Sequence, residues 1–299
     1  MKFNYDNVII EEANQLLEVE SIVPLLLQKN KSLKKLILIG DYNQLGPVLN
    51  FQSLTKASNF DMSFYKRMIR LNSDFIKLNF QGRSRSEIAD LYRWCYPDLK
   101  DLNLDQVFHQ DNMGFSGNIQ LIHMGNYCDK GETAPVKGFL QNLGEAEYVV
   151  ALFQYMMLIG YPSHLISILT TYNGQKSLIN DVLNTRCGFN KDIFPLPRDV
   201  KTVDEFQGSQ NDFVILSLVR SKSVGHLENL GRLIVSLSRA KRGLFVVADL
   251  NNFKKLYSFN RAFEGYIDSD IEYPNKKGSK NSLKLITNEQ YGNKRVKTF

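Results

Sequence analysis

Short apolar runs alternate with helical patterns along most of this chain, and that alternation constrains its fold more than any other feature. The predicted strands are Asn7–Ile10, Leu36–Ile39, Ile166–Leu169, Asp199–Val203, Phe213–Val219 and Leu244–Ala248. The predicted helices are Ala13–Leu27, Ser86–Trp94, Glu145–Leu158, one starting near Asn173, and Gly231–Lys241. Strands separated by helices are joined by crossover connections and lie parallel. The sequence therefore predicts an α/β fold with a parallel sheet and flanking helices.

The composition excludes several classes of protein. The chain has 299 residues, of which 43% are hydrophobic and 23% charged, so it is not a disordered tail and has room for about two domains. Cys95, Cys128 and Cys187 stand far apart, which argues against a disulfide framework or a cysteine zinc site and favours a reducing compartment. Neither a signal peptide nor an apolar run of about 18 residues is found, so we expect an intracellular protein without membrane contact.

The net charge of +6 is mild, but the basic residues are concentrated near the end of the chain. From Ile271 to Phe299 there are seven Lys or Arg residues against Glu272 and Glu289, with no sustained apolar period. This pattern predicts a solvated basic tail. Nucleic acid is one partner for such a tail, and a solubilising end without a specific partner is the equally favoured alternative.

Four polar clusters are placed at the carboxyl ends of predicted strands, where ligands of open α/β sheets collect. One of the four joins Thr202–Gly208 with Ser236–Lys241. Glu11 and Glu12 follow the first strand; paired carboxylates there suit Mg²⁺ and a hydrolytic water, or simply favour a helix N-terminus. Gln44 in Gly-Asp-Tyr-Asn-Gln-Leu suits the sensing of a phosphate, and the same segment is also ordinary turn chemistry. Arg83 in Gln-Gly-Arg suits stabilisation of phosphate charge, although a single arginine is more often a surface residue.

A resemblance emerges when the clusters are taken in order. The chain contains, successively, EEANQ, GDYNQLGPV, LNFQGRSRSEI, LTTYNGQ, TVDEFQGSQNDFVILS and GRLIVSLSRAKRGLFVV. This series resembles the consecutive motifs of superfamily 1 helicases, in the branch that includes the RNA helicase of nonsense-mediated decay. The similarity covers roughly residues 5 to 255. It implies RecA-like sheets, with a partial lobe over 1–74, a complete lobe over 75–255 and a basic tail over 256–299.

The resemblance also assigns roles by position. The catalytic residues implied are Glu12 as general base, Gln44 as sensor of the γ-phosphate, and Arg83 and Arg239 as arginine fingers. Those implied for binding ATP and Mg²⁺ are Glu11 at the metal, with Gln81, Gln207, Gly208, Gln210 and Arg232 for the nucleotide. Those implied for contact with the nucleic-acid strand are Thr171, Tyr172 and Thr202.

The sequence departs from the family pattern in three respects. Gly82 replaces an aromatic residue that would stack on the adenine, and Gln210 stands where many relatives have Glu. In addition, no G-x-x-x-x-G-K-[ST] string occurs, although this family needs such a loop to cradle the phosphates. We therefore expect the phosphate-binding lobe to lie upstream, on the same or another chain, and the chain alone to hydrolyse ATP negligibly.

Two functions are consistent with these observations. In the first, the chain is the carboxyl-terminal part of an ATP-dependent RNA helicase; its similarity to intron-binding spliceosomal members implies pre-mRNA splicing in the nucleus, with intron RNA and spliceosomal proteins as partners. In the second, it is a catalytically silent RNA-binding or scaffold module. The histidines (His109, His123, His164 and His226) lack metal-ligand spacing and are predicted to be structural or surface residues.

Overall fold

The computed structural model describes residues 5–28, 33–49, 58–103, 108, 110–125 and 131–267. The chain divides into two compact units. The first comprises residues 1–78 together with Leu230–Ile234, and the second comprises residues 79–229 and 235–299. The predicted basic tail from Ile271 onward lies outside the described residues.

The first unit is built around two parallel strands. Its elements are β1 (Asn7–Ile10), α1 (Glu18–Leu26), β2 (Lys35–Leu38) and α2 (Phe64–Arg70). β1 matches its predicted bounds, but α1 begins five residues later than predicted. Residues 11–16 form turns, and the Glu20 carboxylate accepts a hydrogen bond from the Leu17 backbone N–H (2.8 Å), which closes the amino end of the helix.

The second unit contains the larger sheet. Its elements are β3 (Phe80–Gln81), α3 (Ser86–Arg93), β4 (Lys100–Asp101), β5 (Ile119–His123), α4 (Leu143–Leu158), β6 (Ile166–Thr170), α5 (Asn173–Cys187), β7 (Asp199–Thr202), β8 (Asn211–Ser217), the end of α6 (Leu230–Leu237), β9 (Ala240–Ala248), α7 (Leu250–Phe253) and α8 (Tyr257–Ala262). The first five residues of α6, Leu230–Ile234, are counted with the first unit. Strands β5 to β9 pair in parallel in the order β5-β9-β8-β6-β7. The predicted parallel α/β architecture is therefore confirmed.

Helix α4 covers this sheet with an almost wholly apolar surface, as its sequence predicts. Phe153 and Met156 of α4 are fully buried in a core that includes Ile168 of β6, Ile215 of β8 and Phe245 of β9. Because a parallel sheet is normally covered on both faces, its central strands read as continuous apolar runs rather than alternating ones. This explains why β6 and β8 were recognisable from sequence.

Two boundaries in the second unit differ from the prediction. Helix α6 ends at Leu237 rather than Lys241, because Ala240 pairs with Asn211 and opens β9. Cross-strand pairing here outweighs the local helical pattern. The folded part also extends past residue 255, where the tail was predicted to begin, since Phe259 and Phe263 are fully buried and contact one another.

Within the described ranges, no helix combines the length and the apolar character required to cross a membrane.

We predict that Phe153→Ala destabilises the protein strongly, because it leaves a cavity in the core of the second unit. The free energy of unfolding should fall by about 3–5 kcal/mol. Leu158→Ala, in the same helix but 68% exposed, is the control and should change stability by less than about 0.5 kcal/mol. Denaturant titration followed by circular dichroism measures both; equal effects would contradict the packing described for α4.

Candidate functional site

Asn14 ties together the two loops of the first unit that carry its candidate residues. Its Nδ2 donates to the Leu45 carbonyl (2.9 Å), and its Oδ1 accepts from the Asp41 backbone N–H (3.2 Å). Asn14 is buried, so the hydrogen bond to Leu45 is shielded from water and the one from Asp41 is partly shielded. The acidic loop after β1 and the Gly-Asp loop after β2 are thereby held side by side, as expected for parallel strands.

Glu12 has an unusual backbone conformation. Its φ is +52°, in the left-handed region that residues other than glycine rarely adopt. The Gln15 side chain donates to its carboxylate (2.8 Å) and orients it. Strained backbone held by specific contacts is concentrated at functional sites, so this geometry is consistent with the role predicted for Glu12. Glu11, one residue earlier, is exposed.

Gln44 is oriented by Asp41. The Asp41 carboxylate accepts from the Gln44 side-chain amide (2.9 Å) and from the Asn43 backbone N–H (3.0 Å), which is an Asx turn. Tyr65 closes the same loop by donating its hydroxyl to the Gly40 carbonyl (2.7 Å). Burial, together with the nearby Asp41 charge, raises the pKa of Tyr65. The turn-chemistry interpretation of this segment is thus realised, and it also fixes the position of Gln44.

The acidic loop offers carboxylate oxygens, which are suitable ligands for Mg²⁺. An exposed carboxylate such as that of Glu11 is the kind of oxygen ligand that Mg²⁺ takes, usually one or two per ion with water completing the octahedron. Among the described residues, no three His, Cys, Asp or Glu side chains cluster as ligands. The residues therefore fit a largely hydrated Mg²⁺ and do not fit a metal held by a protein cage.

Arg83 and Arg239, 156 positions apart in the sequence, meet at Ser238. Arg83 Nη1 donates to the Ser238 carbonyl (3.0 Å), and Arg239 Nη2 donates to the Ser238 hydroxyl (2.8 Å). Arg239 is only 1% exposed and also donates to the carbonyls of Val235 and Ser209. Arg83 is half-buried, and among the described residues no carboxylate lies within ion-pair distance of it. A guanidinium without a carboxylate partner is a favourable contact for phosphate.

Gln81 organises the turn that presents Arg83. Its Oε1 accepts from the backbone N–H groups of Arg83 and Ser84 (3.0 Å each), and its Nε2 donates to Ser84 O and to Asp101. The Gln81 amide is thus engaged within the protein on both sides. Its predicted contact with the nucleotide remains a prediction, while its role in shaping the Gln-Gly-Arg turn is direct.

Arg239 lies at the amino edge of the large sheet, not at a carboxyl end, where we placed the Ser236–Lys241 cluster from sequence. That cluster leads into β9, and Ser209, whose carbonyl Arg239 contacts, precedes β8. Our expectation that all clusters follow strands was wrong here, because this cluster lies between the end of α6 and the start of β9 and therefore precedes a strand.

The connection from β7 to β8 carries three further candidates. Gln207 has a buried Nε2 with no hydrogen-bond partner among the described residues, and a buried amide normally has a partner such as a water molecule or a ligand. Gly208 has a φ of +79°, which the turn requires, and Gln210 is exposed. Arg232 of α6 is half-buried, and its predicted supporting role is not tested by these contacts.

The three residues predicted to contact nucleic acid all lie at the carboxyl edge of the sheet. Thr171 donates its hydroxyl to the Leu218 carbonyl (3.2 Å), and the Thr202 hydroxyl accepts from the Glu205 N–H (3.3 Å). Tyr172 is only 5% exposed. Their placement together agrees with the prediction, but the polar groups of these side chains are turned toward the protein.

Tyr172 is enclosed by groups that the sequence did not single out. Arg220 lies over its ring at 5.9 Å and donates to its hydroxyl (3.4 Å), while His226 stacks on the ring with centroids 4.3 Å apart. Arg220 is held in turn by Glu132, whose carboxylate lies 2.7 Å from Arg220 Nε. The residues joined by these contacts are 48 to 88 positions apart in sequence, so no local pattern indicates them.

A network of buried polar groups holds residues at this edge in place, and sequence reasoning missed it. The carboxyl group of Glu145, in the first turn of α4, accepts from the Ser217 hydroxyl (2.6 Å) and from the Val219 N–H (2.8 Å). Val219 has a φ of +72°, a costly conformation for a β-branched residue. Asn142 donates to the Val219 carbonyl (3.1 Å). The network therefore clamps a strained residue immediately before Arg220. An Asn at the helix cap followed three residues later by Glu was the available sequence signal.

Comparison with known proteins agrees with the motif series. The family described as AAA domain matches residues 1–50 and 60–251. RNA helicase aquarius of Mus musculus is 46% identical over 268 residues, 87% of this chain and 18% of that protein. NFX1-type zinc finger-containing protein 1 of Mus musculus is 35% identical, over 85% of this chain and 13% of that protein. Pre-mRNA-splicing factor cwf11 of Schizosaccharomyces pombe is 35% identical, over 84% of this chain and 20% of that protein. The chain thus spans a fifth or less of the length of each of these relatives.

The buried carboxyl of Glu145 generates a prediction about pH. Burial raises its pKa to about 8 from the ordinary 4.5, although the hydrogen bonds from Ser217 and Val219 act in the opposite direction. Between those two pH values the unfolded chain has released the proton that the folded protein retains, so this group makes stability fall as pH rises from about 4.5 to about 8. Glu145→Gln removes that dependence. The variant should therefore gain stability relative to the wild type across this window.

Urea titrations at several pH values measure this difference in the free energy of unfolding. Glu147→Gln, on the same helix but ion-paired with Arg186 at its edge, is the matched control. The difference between this control and the wild type should stay level over the same range. A level difference for Glu145→Gln as well would show that Glu145 does not retain its proton in the folded protein.

Proposed function

Because the chain belongs to the superfamily 1 RNA helicases, in the branch that includes the helicase of nonsense-mediated decay, we propose that it is the carboxyl-terminal part of an ATP-dependent RNA helicase acting in pre-mRNA splicing. The observation that carries the ATP-dependent part is the pairing of Arg83 and Arg239 at Ser238. Two guanidinium groups held at one residue, one of them without a carboxylate partner among the described residues, suit an anion with the charge of a nucleotide phosphate.

In this proposal the residues around the hydrolytic water come from the acidic loop after β1 and the Gly-Asp loop after β2. Glu12 accepts its proton as general base, Glu11 holds Mg²⁺, and Gln44, oriented by Asp41, senses the γ-phosphate. The left-handed backbone at Glu12 and the double anchoring by Asn14 support these roles, since both fix side chains before any ligand binds. ATP, when bound with Mg²⁺, supplies the free energy for movement on RNA.

In the same proposal, positive charge and nucleotide contacts come from a second set of residues. Arg83 and Arg239 stabilise the negative charge that develops on the phosphate, and Gln81 holds the turn that presents Arg83. The nucleotide-contacting residues we propose are Gln81, Gln207, Gly208, Gln210 and Arg232. The buried amide of Gln207 supports this assignment, because it lacks a hydrogen-bond partner in the described structure.

RNA is the proposed ligand of the carboxyl edge that carries Thr171, Tyr172 and Thr202. The name of one relative, an RNA helicase, supports RNA as the ligand, and the name of another, a pre-mRNA-splicing factor, supports splicing. We accordingly propose the nucleus as the site of action, and intron RNA and spliceosomal proteins as partners. Crosslinking the protein to RNA in cells and sequencing the bound fragments should recover introns in excess over exons. Equal recovery of introns and exons would contradict the splicing role.

A further proposed partner is the remainder of the first lobe, on the same or another chain. Ile9 and Ile37 lie opposite one another on β1 and β2, and their side chains are 65% and 45% exposed. Parallel strands are normally covered on both faces, and a two-stranded sheet has little stability by itself. Additional strands and helices packed on this face would bury both residues and would bring a phosphate-binding loop.

Hydrolysis of ATP provides the decisive test. The chain is joined to the preceding lobe of a helicase from the same branch, which carries the phosphate-binding loop, and phosphate release is measured with and without single-stranded RNA. We expect RNA to stimulate hydrolysis. Glu12→Gln should lower kcat by about 10²- to 10⁴-fold, and Arg83→Ala by about 10³-fold. Absence of stimulation in the joined protein would refute the proposal.

The matched control is Arg186→Ala, which removes an exposed arginine that pairs with Glu147 on the helical side of the second unit. It should leave kcat within about twofold of the wild type, as expected of a surface ion pair. Arg239→Ala is a poor single test, because Arg239 is buried and its loss would also destabilise the fold.

The second candidate function is a catalytically silent RNA-binding module. The absence of a phosphate-binding string from the 299 residues and the presence of Gly82 favour it. Here the 299-residue chain without nucleotide should bind single-stranded RNA with an affinity that falls linearly with salt on logarithmic axes. Fluorescence anisotropy at several salt concentrations measures this. Tight binding combined with no ATP hydrolysis by the joined protein would select this function over the first.

A further inference from the structure

The side chains predicted to contact RNA at the carboxyl edge are largely engaged in contacts within the protein. The Tyr172 ring is covered by Arg220 and His226, and the Thr171 hydroxyl donates to Leu218. A base that approaches this edge would therefore meet a different group first. His226 is that group, because it is exposed while Tyr172 beneath it is buried.

His226 is fixed in place by three contacts. Its backbone N–H donates to the Tyr172 hydroxyl (3.1 Å), its Nδ1 lies 3.1 Å from the Thr171 carbonyl, and its ring stacks on Tyr172 with an interplanar angle of 24°. A carbonyl oxygen only accepts, so Nδ1 carries the proton in this contact. An exposed ring held in this way loses little conformational freedom when a ligand stacks on it.

Gly225 allows this arrangement. Its φ is +61°, and a Cβ at this position would come within 2.2 Å of the Tyr172 hydroxyl and 2.9 Å of Arg220 Nη1. Only glycine therefore permits the short helical turn Gly225–Glu228 to lie this close to Tyr172. This close approach allows the His226 ring to contact the Tyr172 ring.

From this geometry we propose that His226 is a base-stacking platform, which takes one unpaired base of a single-stranded RNA on the ring face opposite Tyr172. Flat side chains beside cationic groups are the usual means by which proteins bind single-stranded nucleic acid. Here Arg220 provides the cation and Tyr172 backs the ring. The inference rests on the proposed RNA-binding function and adds to it a residue that does not belong to the predicted set.

The test compares variants of the 299-residue chain for binding to a fluorescein-labelled oligoadenylate by anisotropy. His226→Ala should weaken binding about 5- to 100-fold, the range known for loss of a base-stacking side chain. His226→Phe retains a flat ring and should remain within about threefold of the wild type. Phe189→Ala removes an aromatic residue that is 92% exposed and lies just after the end of α5, and it should have no effect.

The salt dependence of RNA binding distinguishes base stacking by His226 from neutralisation of a phosphate. His226→Ala should lower the affinity by the same factor at each salt concentration, because stacking releases no counterions. A smaller salt slope would mean that His226 neutralises a phosphate, and equal losses for the Ala and Phe variants would mean that it acts through its hydrogen bonds. Either result overturns the proposal, as would full affinity of His226→Ala.

Gly225→Ala provides a second variant, and if it folds it should lose affinity as His226→Ala does; full affinity of a folded Gly225→Ala would count against the platform. Replacing the oligoadenylate by oligodeoxyadenylate asks whether the platform prefers RNA. If the wild-type chain binds no RNA at all, the proposed function itself fails. If it binds RNA but tolerates His226→Ala, only the present inference fails.

Discussion

Strand β8 pairs in parallel with β6 on one side and β9 on the other, and this pairing determines where each candidate side chain of the second unit lies. Since the strands run in one direction, the segments that follow them gather at one edge and those that precede them gather at the opposite edge. Thr171 and Thr202 therefore share the carboxyl edge, whereas Arg239 and Gln210 belong to the amino edge. The proposed nucleic-acid and phosphate contacts of this unit are separated by the length of the strands.

The geometry at the carboxyl edge of the sheet depends on the buried side chain of Glu145. Glu145 bonds the end of β8 through Ser217 and holds Val219 in a left-handed conformation, and the chain then turns so that Arg220 reaches both Glu132 and Tyr172. A buried polar network of this kind contributes to stability only when its members are satisfied, and it then specifies one geometry. The contacts run continuously from fully buried Glu145 to exposed His226, so the surface geometry of this edge is set from the core.

Sequence reasoning recovered the elements whose signal is local. Strand β1 was predicted with its observed bounds, and α5 begins at Asn173 as expected, because apolar periodicity and flanking turn residues mark these ends. The errors fall where distant segments compete with local preference. Helix α1 begins late because Asn14 is committed to the loop after β2, and α6 ends early because Ala240 pairs with Asn211.

The order of the motifs, by itself, determined the family, the parallel α/β architecture and the chemical types available for the site. Only the tertiary structure decided that Arg239 is buried against backbone carbonyls, that Tyr172 is covered, and that His226 is the exposed ring above it. The physical reason is the distance along the sequence over which the deciding contacts act. Periodicity along the chain reports which face of an element is apolar, whereas the exposure of a polar side chain depends on partners such as Ser238 for Arg83, 155 positions away, which only the packed sheet brings into contact.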